Sequence, residues 1–188
     1  MSSGRPRTMK KSRLLLFDAN VVILLFKLGI WEQVIARCDV LLSRTVAQIE
    51  ADYYETDEGE RRDIDLATYV KAGQIRLVDI SPSDLAAFRG GFDAEYFERL
   101  DAGETESLVY LLNSLEQCLV CSSDKIVYRV LGNLRRSGQG VSLEEVLASI
   151  GLGRSLPHQF GKAYREKWSS RGFQESMWDR GSRDRDDG

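Results

Sequence analysis

Four acidic residues of this chain have sequence surroundings that could bring their carboxylates to one place: Asp18, Glu50, Glu104 and Asp124. Clustered carboxylates repel one another and raise one another's pKa unless a cation is present. Sites built only from oxygen ligands suit hard cations such as Mg²⁺ and Mn²⁺, which usually keep waters and meet phosphate oxygens. These residue types therefore predict a divalent-cation site, provided that the fold brings the four side chains together.

Two of the four acids follow apolar runs that resemble buried strands. Asp18 comes directly after Leu14–Phe17, and Asp124 comes three residues after the run 117–121. Such runs are typical of strands covered on both faces of a parallel sheet, and open α/β sheets bind ligands at the carboxyl ends of their strands. Each aspartate could instead only cap the helix that follows it. Asn20 could cap the first of these helices or help to hold what Asp18 holds.

Glu50 lies in a predicted helix, 45–53, on a face that it shares with apolar neighbours: Val46, Ala47, Tyr53 and Tyr54. A carboxylate on such a face is partly desolvated and needs a compensating partner. No lysine or arginine stands three or four residues away in either direction, which favours a metal ion as that partner. The alternative is a glutamate at the margin of the face, with its carboxylate in water.

The helix that begins after Asp101 carries the third acid. Glu104 falls within about 40° of Leu108 and Leu111 on a helical projection and is expected to point towards the core. Glu106 falls on the opposite side and is expected to be solvated, or to reach a metal through water. Asp101 and Glu104 also fit a capping box, in which Glu104 would only bond the start of the helix.

The rest of the chain alternates strands with helices, which predicts a three-layer α/β/α fold around a central, mostly parallel sheet. The first strand is expected to be central, and a charged loop is expected at 55–63. The predicted strands are 14–17, 39–43, 74–79 and 117–121. The predicted helices are 21–28, 30–37, 45–53, 64–72, 82–89, 92–100, 101–114, 124–134, 142–150 and 157–168.

The composition is that of one globular domain, with 188 residues of which 43% are hydrophobic and 29% charged. A net charge of -3 gives no general attraction for nucleic acid, so that such a partner would need a local basic patch. The three cysteines are an odd number, and a disulfide framework is not expected. Cys118 and Cys121 form a C-x-x-C in an apolar run, where buried thiols are favoured over metal or redox chemistry.

The basic residues near the start are followed by an apolar stretch that Asp18 and Asn20 interrupt, which is not the pattern of a signal peptide. No apolar run approaches the length of about 20 residues that spans a membrane. A soluble, cytoplasmic protein with no membrane contact is expected.

The ordered set of acids resembles the PIN-domain family of metal-dependent ribonucleases. Asp18 stands in the strand-end D-x-N position, and Glu50 stands in the helix after the second strand. Glu104 matches the third acid in its G-E-x-E variant, and Asp124 matches the fourth in an S/T-x-D element. The resemblance covers about residues 14–150.

The resemblance implies a Mg²⁺- or Mn²⁺-dependent endoribonuclease, often the toxin of a toxin–antitoxin pair. The four acids would hold one or two ions that activate water for attack on phosphorus. Asn20, Ser122 and Glu106 would support the metal ligands without binding the metal directly. Asn20 and Ser122 would orient ligands or substrate. The implied domains are a disordered basic arm at 1–11, a PIN-like nuclease domain at 12–155 and a helical, then disordered, tail at 156–188.

RNA is the partner that the resemblance implies, and a small antitoxin protein and a homodimer are partners that it allows. The candidate phosphate contacts are basic residues: Arg61, Arg62, Lys125, Arg129, Arg135 and Arg136. Lys125 and Arg129 carry most weight because they flank Asp124. An ordinary charged, solvated surface is the alternative for each of them.

Two other functions fit parts of the pattern. A haloacid-dehalogenase-like phosphatase would also have an aspartate after the first strand, but it needs a second aspartate where this chain has Asn20. A PIN-like scaffold could bind RNA or a protein without cutting it. RNA cleavage by paired histidines is disfavoured because His158 is the only histidine, and the common hydrolase, dinucleotide and P-loop motifs are absent from the sequence.

Overall fold

The computed structural model describes residues 14–91, 96 and 98–186, with 178–186 described through the backbone alone. The predicted arm at 1–11, part of the predicted helix 92–100 and the last two residues lie outside this range. The strands are β1 (Leu14–Phe17), β2 (Asp39–Ser43), β3 (Tyr53–Glu55), β4 (Arg61–Asp63), β5 (Ile75–Val78) and β6 (Cys118–Cys121). Within the described residues, four of them form a parallel sheet in the order β5-β2-β1-β6.

The first strand is an inner strand of this sheet, as its apolar run predicts. Leu14 is in register with Asp39 of β2 on one side and with Cys118 of β6 on the other. Leu15 and Phe17 enter the core on one face of the sheet, whereas Leu16 enters the core on the other. Because Phe17 pairs with Cys121, β1 and β6 end at the same level. The residues that follow them therefore meet at one edge.

Helices cover both faces of the sheet, which makes the fold a three-layer α/β/α arrangement. The helices are α1 (Ala19–Lys27), α2 (Trp31–Ile35), α3 (Leu66–Lys71), α4 (Pro82–Gly91), α5 (Ala102–Asn113), α6 (Lys125–Asn133), α7 (Leu143–Ser149) and α8 (Lys162–Asp186). Residues of α1, α2, α3 and α7 fill one core, and residues of α4, α5, α6 and α8 fill or flank the other. The predicted fold class is confirmed.

Two predictions for the segment after β2 are wrong. The helix expected at 45–53 is only a short π-helical turn, Val46–Glu50. The charged loop expected at 55–63 belongs to a hairpin in which β3 and β4 pair antiparallel. Tyr54 is partly buried and stacks on Phe26 of α1, with ring centroids 6.5 Å apart. This contact favours an extended strand over a longer helix.

The helix α8 continues past Trp168, where the predicted helix ends, and reaches Asp186. It crosses α6 at close range, and a glycine on each helix permits the approach. A Cβ atom on Gly132 of α6 would meet the carbonyl oxygen of Ser169, and one on Gly172 of α8 would meet that of Arg129. The two helices therefore pack backbone against backbone, which extends the amphipathic stretch into a long packed helix.

Candidate functional site

Asp18 lies at the carboxyl end of β1, where three donors hold its side chain. Its Oδ1 atom accepts a hydrogen bond of 2.7 Å from the backbone N–H of Val21, and it thereby caps α1. Its Oδ2 atom accepts from the Ser122 hydroxyl at 2.6 Å and from the Ser123 N–H at 2.9 Å. The predicted cap is present, and the same carboxylate also joins the ends of β1 and β6.

The environment of Asp18 disfavours its charge in spite of these donors. The residue is 5% exposed, and burial is the largest cause of a pKa raised to about 6. The three hydrogen bonds oppose this rise, whereas the negative charge of Asp101 adds to it. A cation beside Asp18 would stabilise the ionised form.

Asp124 lies on the same edge, and Ser122 connects it to Asp18. The Ser122 Oγ atom that donates to Asp18 also accepts a 2.9 Å hydrogen bond from the Asp124 N–H. The Asp124 Oδ1 atom accepts from the N–H of Ile126 and caps α6. The buried Tyr128 hydroxyl fixes this loop by donating to the backbone oxygen of Ser122. The two strand-end aspartates are thus bridged by one hydroxyl group.

Glu104 is buried at the start of α5, as its helical position predicts. It is 5% exposed and takes part in a capping box with Asp101. The Asp101 N–H donates to Glu104 Oε2 at 3.2 Å, and the Glu104 N–H donates to Asp101 Oδ1 at 2.7 Å. Burial raises the pKa of Glu104 to about 9, and the charges of Asp101, Asp124 and Asp18 add to the rise. Glu104 is therefore a helix cap and a member of the acid cluster at once.

Glu50 reaches the same place from the end of the π-helical turn. Its Oε1 atom accepts a 3.2 Å hydrogen bond from the N–H of Gly103. Glycine is required there, because a Cβ atom on residue 103 would meet Glu50 Oε2 and would lie 2.7 Å from a methyl carbon of Val46. Burial is the largest cause of the raised pKa of Glu50. The charge of Asp101 raises it further, and the charges of Glu106 and Asp18 have smaller effects.

Asp101 is a further carboxylate of this cluster, which the sequence indicates only as a helix cap. Its side chain is exposed, yet its charge acts on Asp18, Glu50 and Glu104. A signal was available in the sequence, because the N-cap residue of a helix lies next to its N3 residue, which here is Glu104. Position in a capping box does not by itself tell which way the cap faces.

Glu106 and Asn20, which were predicted to support the metal ligands, lie in different environments. The helical projection predicts a solvated Glu106, but in the structure its side chain is only partly exposed. It accepts hydrogen bonds from the Thr45 hydroxyl at 2.6 Å and from the Thr45 N–H at 3.2 Å. It therefore anchors α5 to the residue before the π-helical turn and holds Glu50 near Gly103. Asn20 is exposed in the first turn of α1.

The donor set fits a hard divalent cation that keeps most of its waters. The charges that act most strongly on Asp18, Glu50 and Glu104 belong to other carboxylates. Within the described ranges, no group of three acidic, histidine or cysteine side chains converges closely enough to enclose a metal ion. Mg²⁺ is usually bound through one or two carboxylates, with water in the other positions. Each carboxylate here has lone pairs beyond those that its hydrogen bonds use.

The predicted phosphate contacts do not form one surface. Arg61 and Arg62 lie on β4. Arg61 forms ion pairs with Asp52 and Asp63, and Arg62 forms one with Glu60. Arg129 is partly buried and bound to Glu175 of α8. Lys125 is exposed and directly follows Asp124. Arg135 lies over the ring of Phe173. Arg136 donates a hydrogen bond to the backbone oxygen of Leu111.

The C-x-x-C pair consists of buried free thiols in this structure. Burial raises the pKa of Cys118 to about 11 and raises that of Cys121 well above its ordinary value. Such thiols carry little thiolate at neutral pH and are poor nucleophiles or metal ligands. They pack on opposite faces of the sheet.

Among the residues that the structure describes, no helix combines the length and the apolar character needed to cross a membrane. Comparison with known proteins gives no assignment for this chain, since no family model, no curated protein and no solved structure matches it.

Proposed function

We propose that this chain is a Mg²⁺- or Mn²⁺-dependent endoribonuclease of the PIN type. The observation that carries the proposal is that acids from four separate segments lie close enough to the carboxyl ends of β1 and β6 for their charges to act on one another. Each of Asp18, Glu50 and Glu104 has a pKa raised by burial and by its acidic neighbours. Residues with strongly perturbed pKa values cluster at functional sites, which supports the proposal.

In this proposal, Asp18, Glu50, Glu104 and Asp124 hold the ion together, one or two of them directly and the others through its water molecules. When bound, a divalent cation lowers the pKa of a water molecule and neutralises charge on the phosphate. Ser122 fixes the orientation of Asp18 through its 2.6 Å hydrogen bond, and Asn20 stands beside Asp18 at the surface. Asp101 adds negative charge that strengthens the attraction for a cation.

The test is cleavage of a single-stranded RNA oligonucleotide with a different fluorophore at each end. Cleavage is expected with Mg²⁺ or Mn²⁺, and it should stop with EDTA and in the Asp18→Asn and Asp124→Asn variants. Glu58→Gln is a matched control, because Glu58 is an exposed acid in the hairpin turn. Cleavage that survives EDTA and both aspartate variants would contradict the proposal.

Two other outcomes would replace the proposal. Binding of the RNA without cleavage in either metal would favour a scaffold, and hydrolysis of p-nitrophenyl phosphate alone would favour a phosphatase. The proposal also extends to a small antitoxin protein and to a homodimer. Loss of cleavage on co-expression with the product of a neighbouring small open reading frame would test the first, and light scattering of the purified chain would test the second.

A further inference from the structure

A groove of about 580 Å³ lies on the outer side of α6 and α8, and cationic side chains dominate its lining. Its lining includes Arg99, Arg129, Lys167, Trp168, Arg171 and Glu175. Most of them come from α8, the part of the chain beyond the predicted nuclease domain. The groove is therefore formed by an element that the acid cluster does not use.

The single acid among these residues is already neutralised by its neighbours. Glu175 accepts hydrogen bonds of 2.9 Å from Arg129 Nη2 and from Arg171 Nε, and it also accepts one from the Tyr96 hydroxyl. Arg129 and Glu175 are both mostly buried, so that this pair positions the wall of the groove. Lys167 and Arg171 remain exposed. The groove consequently presents an excess of positive charge to an anionic ligand.

Two lysines lie near the ring of Trp168, which lines the groove. The ammonium group of Lys167 is 5.3 Å from the centroid of the Trp168 ring, and that of Lys125 is 5.5 Å from it. The ring of Tyr164 makes an edge contact with that of Trp168, with the two centroids 6.1 Å apart. Cations that follow a backbone, combined with aromatic rings on which bases stack, are typical of sites for single-stranded nucleic acid.

The groove lies near Asp124, because Trp168 of its lining is close to Lys125 and Tyr164. Lys125, whose ammonium lies over Trp168, is the residue after Asp124. Tyr164 is also near this point, because the charge of Asp124 contributes, after burial, to the raised pKa of its hydroxyl. A strand of nucleic acid bound at Asp124 would therefore have Lys125 and Trp168 within reach.

We infer that this groove binds single-stranded RNA next to the carboxylate site, with Lys125 and Lys167 at phosphates and Trp168 stacked on a base. The inference rests on the proposed function, which supplies the kind of ligand. It adds that α8 contributes to how tightly the RNA is held.

The experiment measures binding rather than cleavage, so that the two proposals can fail separately. The probe is a fluorescein-labelled single-stranded RNA of 12 nucleotides, titrated with the full chain in EDTA and followed by fluorescence anisotropy. The variants are Lys167→Glu, Trp168→Ala and the conservative Trp168→Phe. The control is Lys71→Glu, an exposed lysine at the end of α3. Circular dichroism and thermal melting of each variant establish that it is folded.

Trp168→Ala should weaken binding by about 5- to 150-fold, the range for the loss of one stacked base, whereas Trp168→Phe should retain most of the affinity. Lys167→Glu should weaken binding and lower the slope of log affinity against log salt by about 0.7, as expected for one lost phosphate contact on a single strand. Lys71→Glu should bind like the unsubstituted chain.

The groove proposal is overturned if folded Lys167→Glu and Trp168→Ala bind the RNA as tightly as the control. It is also overturned if an RNA duplex or a poly-glutamate peptide of 12 residues binds equally well with the same sensitivity to these variants. Cleavage by the unsubstituted chain together with unchanged binding by the variants would refute the groove and leave the nuclease standing. Binding that depends on the groove, without cleavage in either metal, would refute the nuclease and leave the groove standing.

Discussion

The Ser122 hydroxyl donates a 2.6 Å hydrogen bond to Asp18 Oδ2 across the ends of two neighbouring strands. The same oxygen accepts from the N–H of Asp124. One side chain thus sets the distance between the two strand-end aspartates. Because both bonds are buried or partly buried, neither aspartate can move far without leaving a polar group unpaired.

Ser122→Ala should lower both stability and activity. The substitution removes a donor from a buried carboxylate, which costs about 1–3 kcal/mol in the free energy of unfolding and raises the pKa of Asp18 further. Urea denaturation measures the first effect, and RNA cleavage between pH 6 and 8 measures the second. Ser123→Ala is the matched control, because Ser123 uses its backbone N–H to bond Asp18. Equal losses in the two variants would contradict the assigned role of the Ser122 hydroxyl.

Gly103→Ala should destabilise the chain by about 1–3 kcal/mol, the usual cost of inserting a methyl group into filled space. The new Cβ atom would meet the Glu50 carboxylate and Val46. In the double variant Glu50→Ala/Gly103→Ala, part of the loss should be recovered, since one of the two obstacles is gone. Gly90→Ala is a control, because nothing lies within 4 Å of its Cβ position in α4. That substitution should be neutral or stabilising.

The metal-free protein should lose stability as the pH rises from about 4.5 to about 9. The unfolded chain releases the Glu104 proton near the ordinary value of 4.5, whereas burial and acidic neighbours keep it bound in the folded chain up to about 9. In this window the folded state holds more protons, so the free energy of unfolding decreases with pH, by on the order of a few kcal/mol. Asp18, with its pKa raised to about 6, acts in the same direction over a narrower range.

Glu104→Gln should flatten this pH dependence, because the amide does not titrate. Chemical denaturation in EDTA at several pH values measures the slope, with exposed Glu98→Gln as the control. Added Mn²⁺ should stabilise the unsubstituted chain more at pH 8 than at pH 5, since it favours ionised carboxylates. A slope that is the same in Glu104→Gln and in the control would show that Glu104 is ionised in the folded chain.

Asp101→Asn separates the two roles of the capping residue. Asparagine caps helices about as well as aspartate, so that α5 should keep its 2.7 Å cap bond to the Glu104 N–H. Removal of the charge should lower the pKa of Glu104 and weaken the stabilisation by Mn²⁺. Asp101→Ala should in addition lose about 1 kcal/mol of stability with the cap. An unchanged melting-temperature shift with Mn²⁺ in Asp101→Asn would place its charge outside the metal environment.

Local residue patterns were sufficient for the four strands of the parallel sheet and for the starts of most helices. The apolar run of β1 has no polar position that could face water, so it had to become an inner strand, and an aspartate at its end had to lie at the edge of the sheet. Helix caps are equally local, because their bonds span two or three residues, as at Asp18, Asp101 and Ser142. The fold class and the order of the acids along the chain follow from such short-range features.

Only the tertiary structure decided how the acids meet. The Glu50–Gly103 bond joins residues 53 positions apart, and the Glu106–Thr45 bonds join residues 61 positions apart. Neither contact has a periodic signal in the sequence, since each depends on how α5 packs beside the end of β2. The hairpin of β3 and β4 and the long helix α8 also depend on tertiary contacts. Tyr54 of the hairpin stacks on Phe26, and Gly172 of α8 permits close contact with the backbone of α6. Short-range interactions determine which segments become strands and helices. The electrostatic environment of side chains from distant segments forms only when those strands and helices pack together.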